Sequence, residues 1–183
     1  MTGDEKSKVG SAEPEDESIY WDYFEKKDYS FNLKEPLRFK IDSGRFSGKA
    51  GDFQFNSCGF LLFSYKLRTI IEKYLTEIDN PKWFQAVLTD LEGNTLNYSI
   101  LYFFNKPDFL DYQNSTFMRG KRIQSNVIKK RYDLKKIGER LIYNSDILGV
   151  SLCVHDIVRK EIIESRCTGQ YFYKIHTPGR LSW

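Results

Sequence analysis

The sequence predicts a single α+β domain with a mostly antiparallel or mixed sheet and two main helices. Its 183 residues match the length of one domain and are enough to bury a core without a metal or a disulfide. Segments with strand-like and helical patterns interleave irregularly along the chain, which favours α+β over a doubly wound α/β sheet. We find no internal repeat, and no linker that would divide the folded part.

The first helix is predicted over about 64–77. Ser64 is a suitable N-cap, because its hydroxyl can accept a backbone N–H, and Pro81 lies beyond the expected end of the helix. The second helix is predicted over about 156–166, and Gly169 is a fitting C-terminal stop. In the first helix, five residues at helical spacing form one apolar face: Leu67, Ile70, Ile71, Tyr74 and Leu75.

Strands are predicted where apolar residues alternate with polar ones or form short runs. Glu92-Gly93-Asn94 predicts the turn of a hairpin between two of these strands. Lys106-Pro107-Asp108 is expected to start a short helical turn that runs to Asp111. The predicted strands cover residues 37–41, 53–55, 83–91, 95–104, 123–132, 139–143, 147–154 and 170–175.

Charge divides the chain into distinct regions. Residues 1–18 carry six acids and two basic residues and have no apolar periodicity, so we predict a disordered acidic tail there. Residues 19–183 are predicted to form the folded domain. Within it, residues 119–136 carry eight basic residues and one acid, a net charge of +7 in a chain whose formal net charge is +3.

The basic stretch 119–136 has more than one interpretation. A local field of this sign attracts acidic protein surfaces or polyanions such as nucleic acids. On a solvated strand edge, Lys and Arg serve only to discourage edge-to-edge pairing. RNA-binding sheets place aromatic residues among the basic ones, whereas this stretch contains Tyr132 alone.

Motifs for a cofactor or a metal are incomplete in this sequence. The segment 44–50 resembles a phosphate-binding loop, but Ala50 stands where a hydroxyl must hold magnesium, and a strand-like segment follows it. Four residues offer ligand atoms for zinc but lack the paired short spacings of structural zinc sites: Cys153, His155, Cys167 and His176. We therefore expect neither a cofactor nor a metal.

Catalytic motifs are also missing, so we expect no enzyme activity. Nucleophilic catalysis needs a nucleophile, a base and an orienting group, and the chain has only two histidines and no Gly-x-Ser-x-Gly elbow. The three widely spaced cysteines are typical of free thiols in a reducing cytoplasm. No apolar run reaches the roughly 20 residues of a membrane span, and the polar N-terminus does not resemble a signal peptide.

The order of apolar and glycine positions resembles that of a bacterial family over roughly residues 55–175. The pattern is similar to immunity family eleven of polymorphic toxin systems, once known only as a domain of unknown function. A Ser cap is expected before the second helix, where this chain has His155, and the basic insert after Phe117 is a further departure. The matching segments are Gly59–Ser64, Trp83–Val87, Tyr102–Asn105, Val150–Ile163 and Thr168–Phe172.

This resemblance implies a small cytoplasmic immunity protein. It would bind a cognate toxin delivered by contact-dependent or type VI secretion, and neutralise the toxin without catalysing a reaction. Tight complexes depend on aromatic anchors and electrostatic steering, so an acidic toxin surface is the expected partner of the basic stretch. A nucleic-acid-binding module that uses residues 119–136 is the alternative. The candidate partner-binding residues are Arg119, Lys121, Arg122, Lys129, Lys130 and Arg131, with Tyr132 as an aromatic anchor.

Overall fold

The computed structural model describes residues 2–3, 8–16, 36–44, 46–106, 108–118, 127–129, 131–144 and 152–174. They form an α+β fold, which confirms the predicted class. The strands are β1 (Thr2–Gly3), β2 (Ala12–Pro14), β3 (Leu37–Ile41), β4 (Phe53–Gln54), β5 (Leu61–Ser64), β6 (Pro81–Thr89), β7 (Thr95–Phe103), β8 (Thr116–Phe117), β9 (Val127–Lys129), β10 (Ile142–Tyr143), β11 (Cys153–Val154) and β12 (Gln170–Tyr171). The α-helices are α1 (Tyr65–Glu72), α2 (Leu134–Ile137) and α3 (Asp156–Glu164), and a 3-10 helix spans Glu77–Asp79.

The main sheet is mixed and has the strand order β2-β3-β6-β7-β5-β4 among the described residues. β3 and β6 are parallel, and the other neighbouring strands are antiparallel. β6 and β7 form the predicted hairpin. At its turn, Asp90 Oδ1 accepts the N–H groups of Glu92 and Asn94. Gly93 has a φ of 87°, a conformation that favours glycine.

This sheet curls until its two edges meet. Ala12 of β2 donates its N–H to the carbonyl of Phe55, just after β4, at 2.8 Å, and accepts the N–H of Ser57 at 3.1 Å. The rings of Phe39 in β3 and Phe60 before β5 have centroids 6.1 Å apart, although β6 and β7 separate those strands in the sheet. The six strands therefore enclose an interior, as in a small barrel.

Two hydrophobic clusters follow from the alternation of side chains along each strand. One fills the inside of the curled sheet, and the other lies between its outer face and the helices α1 and α3. Buried side chains inside the sheet include Leu37, Phe39, Ile41, Leu62, Leu88 and Ile100. Those between sheet and helices include Phe53, Phe63, Leu101, Phe103, Leu67, Ile71, Val158 and Ile162.

The first predicted helix is correct at its start and too long at its end. Ser64 caps α1 as predicted, with its hydroxyl accepting the N–H of Leu67. The helix ends at Glu72 rather than near residue 77. Directly after it, the side chains of Lys73 and Tyr74 both bond to Glu161 of α3. These contacts join distant segments of the chain, so the local sequence pattern does not indicate that the helix ends at Glu72.

The second predicted helix corresponds to α3, which ends at Glu164, two residues before the predicted end. His155 is its N-cap, since its Nδ1 accepts the N–H of Ile157 at 3.3 Å. The left-handed residue that closes the helix is Arg166, with a φ of 52°. Gly169 also has a positive φ of 84°, but it lies beyond the helix end.

Part of the predicted disordered tail belongs to the sheet, which corrects the prediction for residues 8–16. β2 pairs with β3, and Ala12 is fully buried. Gly10 and Gly48 approach so closely that a Cβ on Gly10 would lie 2.6 Å from the backbone nitrogen of Gly48. Backbone hydrogen bonds and glycine contacts, rather than apolar side chains, hold this segment.

Several other predicted elements are shorter in the structure or replaced. The helical turn expected from Lys106 to Asp111 is absent from the described residues there, and Leu110 instead forms a β-bridge with Tyr132. α2 was not predicted. The predicted strands at 123–132, 139–143, 147–154 and 170–175 reduce to β9, β10, β11 and β12 within the described residues.

Candidate partner-binding surface

Residues 127–129 and 131–133 of the basic stretch belong to a two-stranded antiparallel ribbon, whereas Lys135 and Lys136 lie in α2. We call residues 108–117, 127–129 and 131–133 the basic ribbon. Asp111 N–H donates to the carbonyl of Arg131, and Asp133 N–H donates to that of Phe109, both at 2.8 Å. Further along, β8 pairs with β9 across an irregular register. The ribbon thus gives residues 127–129 and 131–133 a defined backbone.

Of the seven predicted partner-binding residues, the structure describes three. Lys129 is exposed, and Arg131 is half-buried. The backbone N–H of Arg131 donates to Ser115 Oγ at 3.0 Å, which fixes the residue in the ribbon. The other four lie outside the described residues: Arg119, Lys121, Arg122 and Lys130.

Tyr132, which the sequence predicts as an aromatic anchor, is buried in the structure. Its side chain is 6% exposed and belongs to a small core cluster with Phe109, Ile137, Tyr143 and Cys153. Burial raises the pKa of the Tyr132 hydroxyl to about 12. Because alternate side chains of a strand point to opposite faces, the sequence could not show which face of this segment is the inner one.

A different aromatic pair lies on the ribbon. The rings of Tyr112 and Phe117 are stacked, with centroids 5.9 Å apart and planes inclined by 11°. Both residues are partly exposed, and the next residue, Met118, is 59% exposed. They precede the basic stretch in the sequence, so the search for aromatic residues within that stretch missed them. Phe117 and Met118 lie directly before Arg119 in the sequence, and this position was the signal that could have indicated them.

Carboxylates in the ribbon are engaged in local turns. Asp108 accepts the N–H of Leu110 at 2.9 Å, and Asp133 accepts that of Lys135 at 2.9 Å. The side-chain amide of Asn114 holds the pKa of Asp111 below its usual value, with backbone N–H groups and the charge of Lys136 acting in the same direction. These acids stabilise turns. Lys129 and Lys135 are exposed, and the ammonium of Lys136 donates to the carbonyls of Asp108 and Leu110.

The Tyr132 cluster joins the ribbon to β10 and β11, and an ion pair connects this side of the molecule to the barrel. Phe109 contacts Tyr143 edge to face, with ring centroids 4.9 Å apart. Arg140, which follows α2, donates from Nε to Asp79 Oδ2 at 2.7 Å. Asp79 ends the 3-10 helix before β6, so this pair joins the ribbon side of the molecule to the end of the main hairpin.

The three cysteines are buried in the cores. Cys58, Cys153 and Cys167 are free and buried, and burial raises the pKa of each thiol to about 11. A thiol with such a pKa is almost entirely protonated at neutral pH and is a weak nucleophile. Tyr98 is buried as well, and its hydroxyl donates to the carbonyl of Gly51 at 2.6 Å.

The residues considered for zinc have separate structural roles. Cys167 lies in the cluster beneath α1 and α3, Cys153 lies in the Tyr132 cluster, and His155 caps α3. His176 is outside the described residues. Among the residues that the structure describes, no group of three His, Cys, Asp or Glu side chains is placed to hold a metal ion.

Comparison with known proteins adds no relative. No protein-family model matches the chain, and no curated protein matches it. Within the described ranges, no helix has the length and apolar character needed to cross a bilayer.

Proposed function

We propose that this protein is a non-enzymatic immunity protein that binds a cognate bacterial toxin in the cytoplasm and neutralises it. The observation that carries the proposal is the stacked pair Tyr112 and Phe117 with the exposed Met118, which come just before residues 119–136, the stretch with a net charge of +7. Arg, Met and aromatic residues are enriched in protein interfaces. The resemblance to immunity family eleven supplies the partner class, a toxin delivered by contact-dependent or type VI secretion.

Electrostatics favours an acidic partner surface. Residues 119–136 carry a net charge of +7, and among its cations Lys129 and Lys135 are exposed in the structure. A cationic surface speeds encounter with an acidic one and helps to set its orientation. The aromatic pair and Met118 then supply apolar area of the kind that dominates binding energy in interface centres.

The placement of reactive groups supports a mechanism without chemistry. The three cysteines are packed in cores, and the nitrogen of His155 accepts a backbone N–H at the start of α3. Steric occlusion of a toxin needs none of these groups to be accessible. The protein therefore acts in a fixed ratio with its target rather than by turnover.

Co-purification with the toxin encoded by the adjacent gene tests this function. Calorimetric titration of the two proteins is expected to give a one-to-one complex with a Kd well below 1 μM, since immunity requires tight binding. Failure of the pair to bind at micromolar concentration would contradict the proposal.

A charge-reversal pair locates the interface. Lys129→Glu with Lys135→Glu is expected to raise the Kd at least about tenfold, mainly by slowing association, because steering charge is lost. The matched control is Arg38→Glu with Lys82→Glu, which makes the same charge change at exposed positions of β3 and β6. Equal effects of the two double variants would move the interface away from Lys129 and Lys135.

Nucleic-acid binding is the second candidate, and the observation that favours it is the stacked Tyr112–Phe117 pair, which comes just before the basic stretch 119–136. Stacked aromatic rings next to Lys and Arg can bind bases of a single strand. In that case, affinity for an oligonucleotide falls steeply with salt, since phosphate contacts release counterions. No detectable binding at low salt would exclude this candidate.

A further inference from the structure

Arg140 joins three parts of the molecule. Its Nε donates to Asp79 Oδ2 at 2.7 Å, and its Nη1 donates to the carbonyl of Ile137 at 3.0 Å, at the end of α2. A second, longer bond of 3.3 Å runs from Nη1 to the carbonyl of Lys136. The guanidinium carbon lies 5.4 Å from the centre of the Phe109 ring, within the range of a cation–π contact.

On the barrel side, Asp79 is held firmly. Its carbonyl accepts the N–H of Asn105 at 3.1 Å, which ties it to the end of β7. The side chain is only 2% exposed, and that of Arg140 is 14% exposed. Within the described residues, Asp79 Oδ1 has no hydrogen-bond partner. The negative charge of this buried carboxylate is therefore compensated by the guanidinium of Arg140.

On the ribbon side, α2 and the ribbon form a connected unit. Asp133 links the ribbon to α2, because its N–H donates to Phe109 and its carbonyl accepts the N–H of Ile137 at 3.3 Å. Lys136 Nζ donates to the carbonyl of Leu110 at 3.3 Å. A movement of Arg140 therefore carries α2 and the base of the ribbon with it.

We propose that Arg140 is a positioning residue for the partner-binding surface: paired with Asp79, it fixes the basic ribbon against the barrel in one orientation. Its effect on binding rests on the proposed function, whereas its effect on the ribbon does not. A ribbon that is already oriented loses less conformational freedom when it binds, and this lowers the cost of association.

The test removes the pair without leaving a buried charge. In Asp79→Leu with Arg140→Met, both charges go, and such replacements by apolar residues are often neutral for stability. Hydrogen exchange of the amides of Asp111 and Asp133 then reports the ribbon, and that of Ile100 in β7 reports the barrel. We expect ribbon exchange to accelerate by at least about tenfold, because the ribbon opens locally while the core stays closed.

A conservative variant separates positioning from general stability. In Arg140→Lys, the charge remains but the planar fork that bonds Asp79 and the Ile137 carbonyl together is lost, so we expect an intermediate acceleration of ribbon exchange. Arg159→Lys is the control, since Arg159 forms an exposed ion pair with Asp156 on α3. It should leave ribbon exchange unchanged.

Binding is measured separately with a polyglutamate peptide as the acidic probe. The double variant is expected to bind it about tenfold more weakly than the wild type, a loss of about 1.4 kcal/mol. Unchanged exchange at Asp111 and Asp133 in Arg140→Lys, or in a folded double variant, would overturn the positioning role. A wild-type protein that does not bind the peptide would instead count against the acidic partner, and the exchange result would still stand.

Discussion

Arg166 has a backbone conformation that suits its side chain poorly. It follows α3 with a φ of 52°, and its N–H and that of Cys167 close the helix on the carbonyls of Ile163 and Ile162. Glycine adopts this conformation without a steric cost, so Arg166→Gly is expected to raise the free energy of unfolding by about 0.5–1 kcal/mol. Urea denaturation measures the change. Ser165→Gly is the control and should destabilise, because Ser165 has a right-handed φ of −73°.

Ser64 caps α1 and also connects this helix to Asp52, directly before β4. Its hydroxyl accepts the N–H of Leu67 and donates to Asp52 Oδ1 at 2.6 Å. Ser64→Ala is therefore expected to lower the free energy of unfolding by about 1–2 kcal/mol, as for other lost caps. Ser43→Ala, at an exposed loop position, should change it by less than about 0.5 kcal/mol. Similar effects of both substitutions would contradict the capping role.

Single residues also show what the sequence could predict of the site. Ser64 was predictable, because capping is a local property of the chain. Lys129 is exposed as a candidate interface residue must be, whereas Tyr132 is buried, because its orientation depends on the packing of Phe109 and Tyr143 against it. Tyr112 and Phe117 stack because a turn brings them together, and the amino-acid composition of the segment does not indicate that turn.

At the scale of elements, the long hairpin and α1 were predictable because their patterns are strong and local. β6 and β7 each have nine residues, with a turn sequence between them. β2 was missed because it has only one fully buried side chain, Ala12, among charged residues. Its place in the sheet comes from backbone hydrogen bonds to distant segments, for which sequence patterns give no signal.

The strand β2 gives a direct prediction. Deletion of residues 1–16 is expected to lower the free energy of unfolding by at least about 3 kcal/mol, because several backbone hydrogen bonds worth about 1 kcal/mol each are lost. Thermal unfolding followed by circular dichroism measures this loss. A disordered tail, as the sequence alone predicts, would leave the melting temperature unchanged.

Two point variants refine the test of β2. Gly10→Ala places a Cβ 2.6 Å from the backbone nitrogen of Gly48, so it should destabilise the protein and mimic part of the deletion. Glu13→Ala changes an exposed side chain of the same strand and should have little effect. Equal stability of the two variants would argue that the strand is not held as described.

For the whole molecule, the buried thiols and hydroxyls predict a loss of stability at alkaline pH. Burial raises the pKa of Cys58, Cys153 and Cys167 from 9.0 to about 11, and that of Tyr132 from 10.0 to about 12. The folded state thus keeps protons that the unfolded chain releases. The stabilisation is complete below pH 9 and is lost progressively as the pH rises from 9 to about 12.

Urea denaturation at a series of pH values measures this dependence. The midpoint is expected to fall between pH 9 and 11, and to fall less in Cys153→Ala, which removes one of the shifted thiols. A lower starting stability is expected in that variant, so the slope with pH, rather than the absolute midpoint, is the quantity to compare. A midpoint that stays constant from pH 8 to 11 would contradict the prediction.

The pairing of β1 with β12 joins Thr2 to Tyr171, and this has a consequence for biosynthesis. During translation, Thr2 leaves the ribosome long before Tyr171 has been made, so the pair cannot form until the whole intervening segment has been synthesised. Contacts between such distant residues slow folding, because a very large loop must close before they can form. The nascent chain therefore has to keep β1 without its partner strand until β12 has been made.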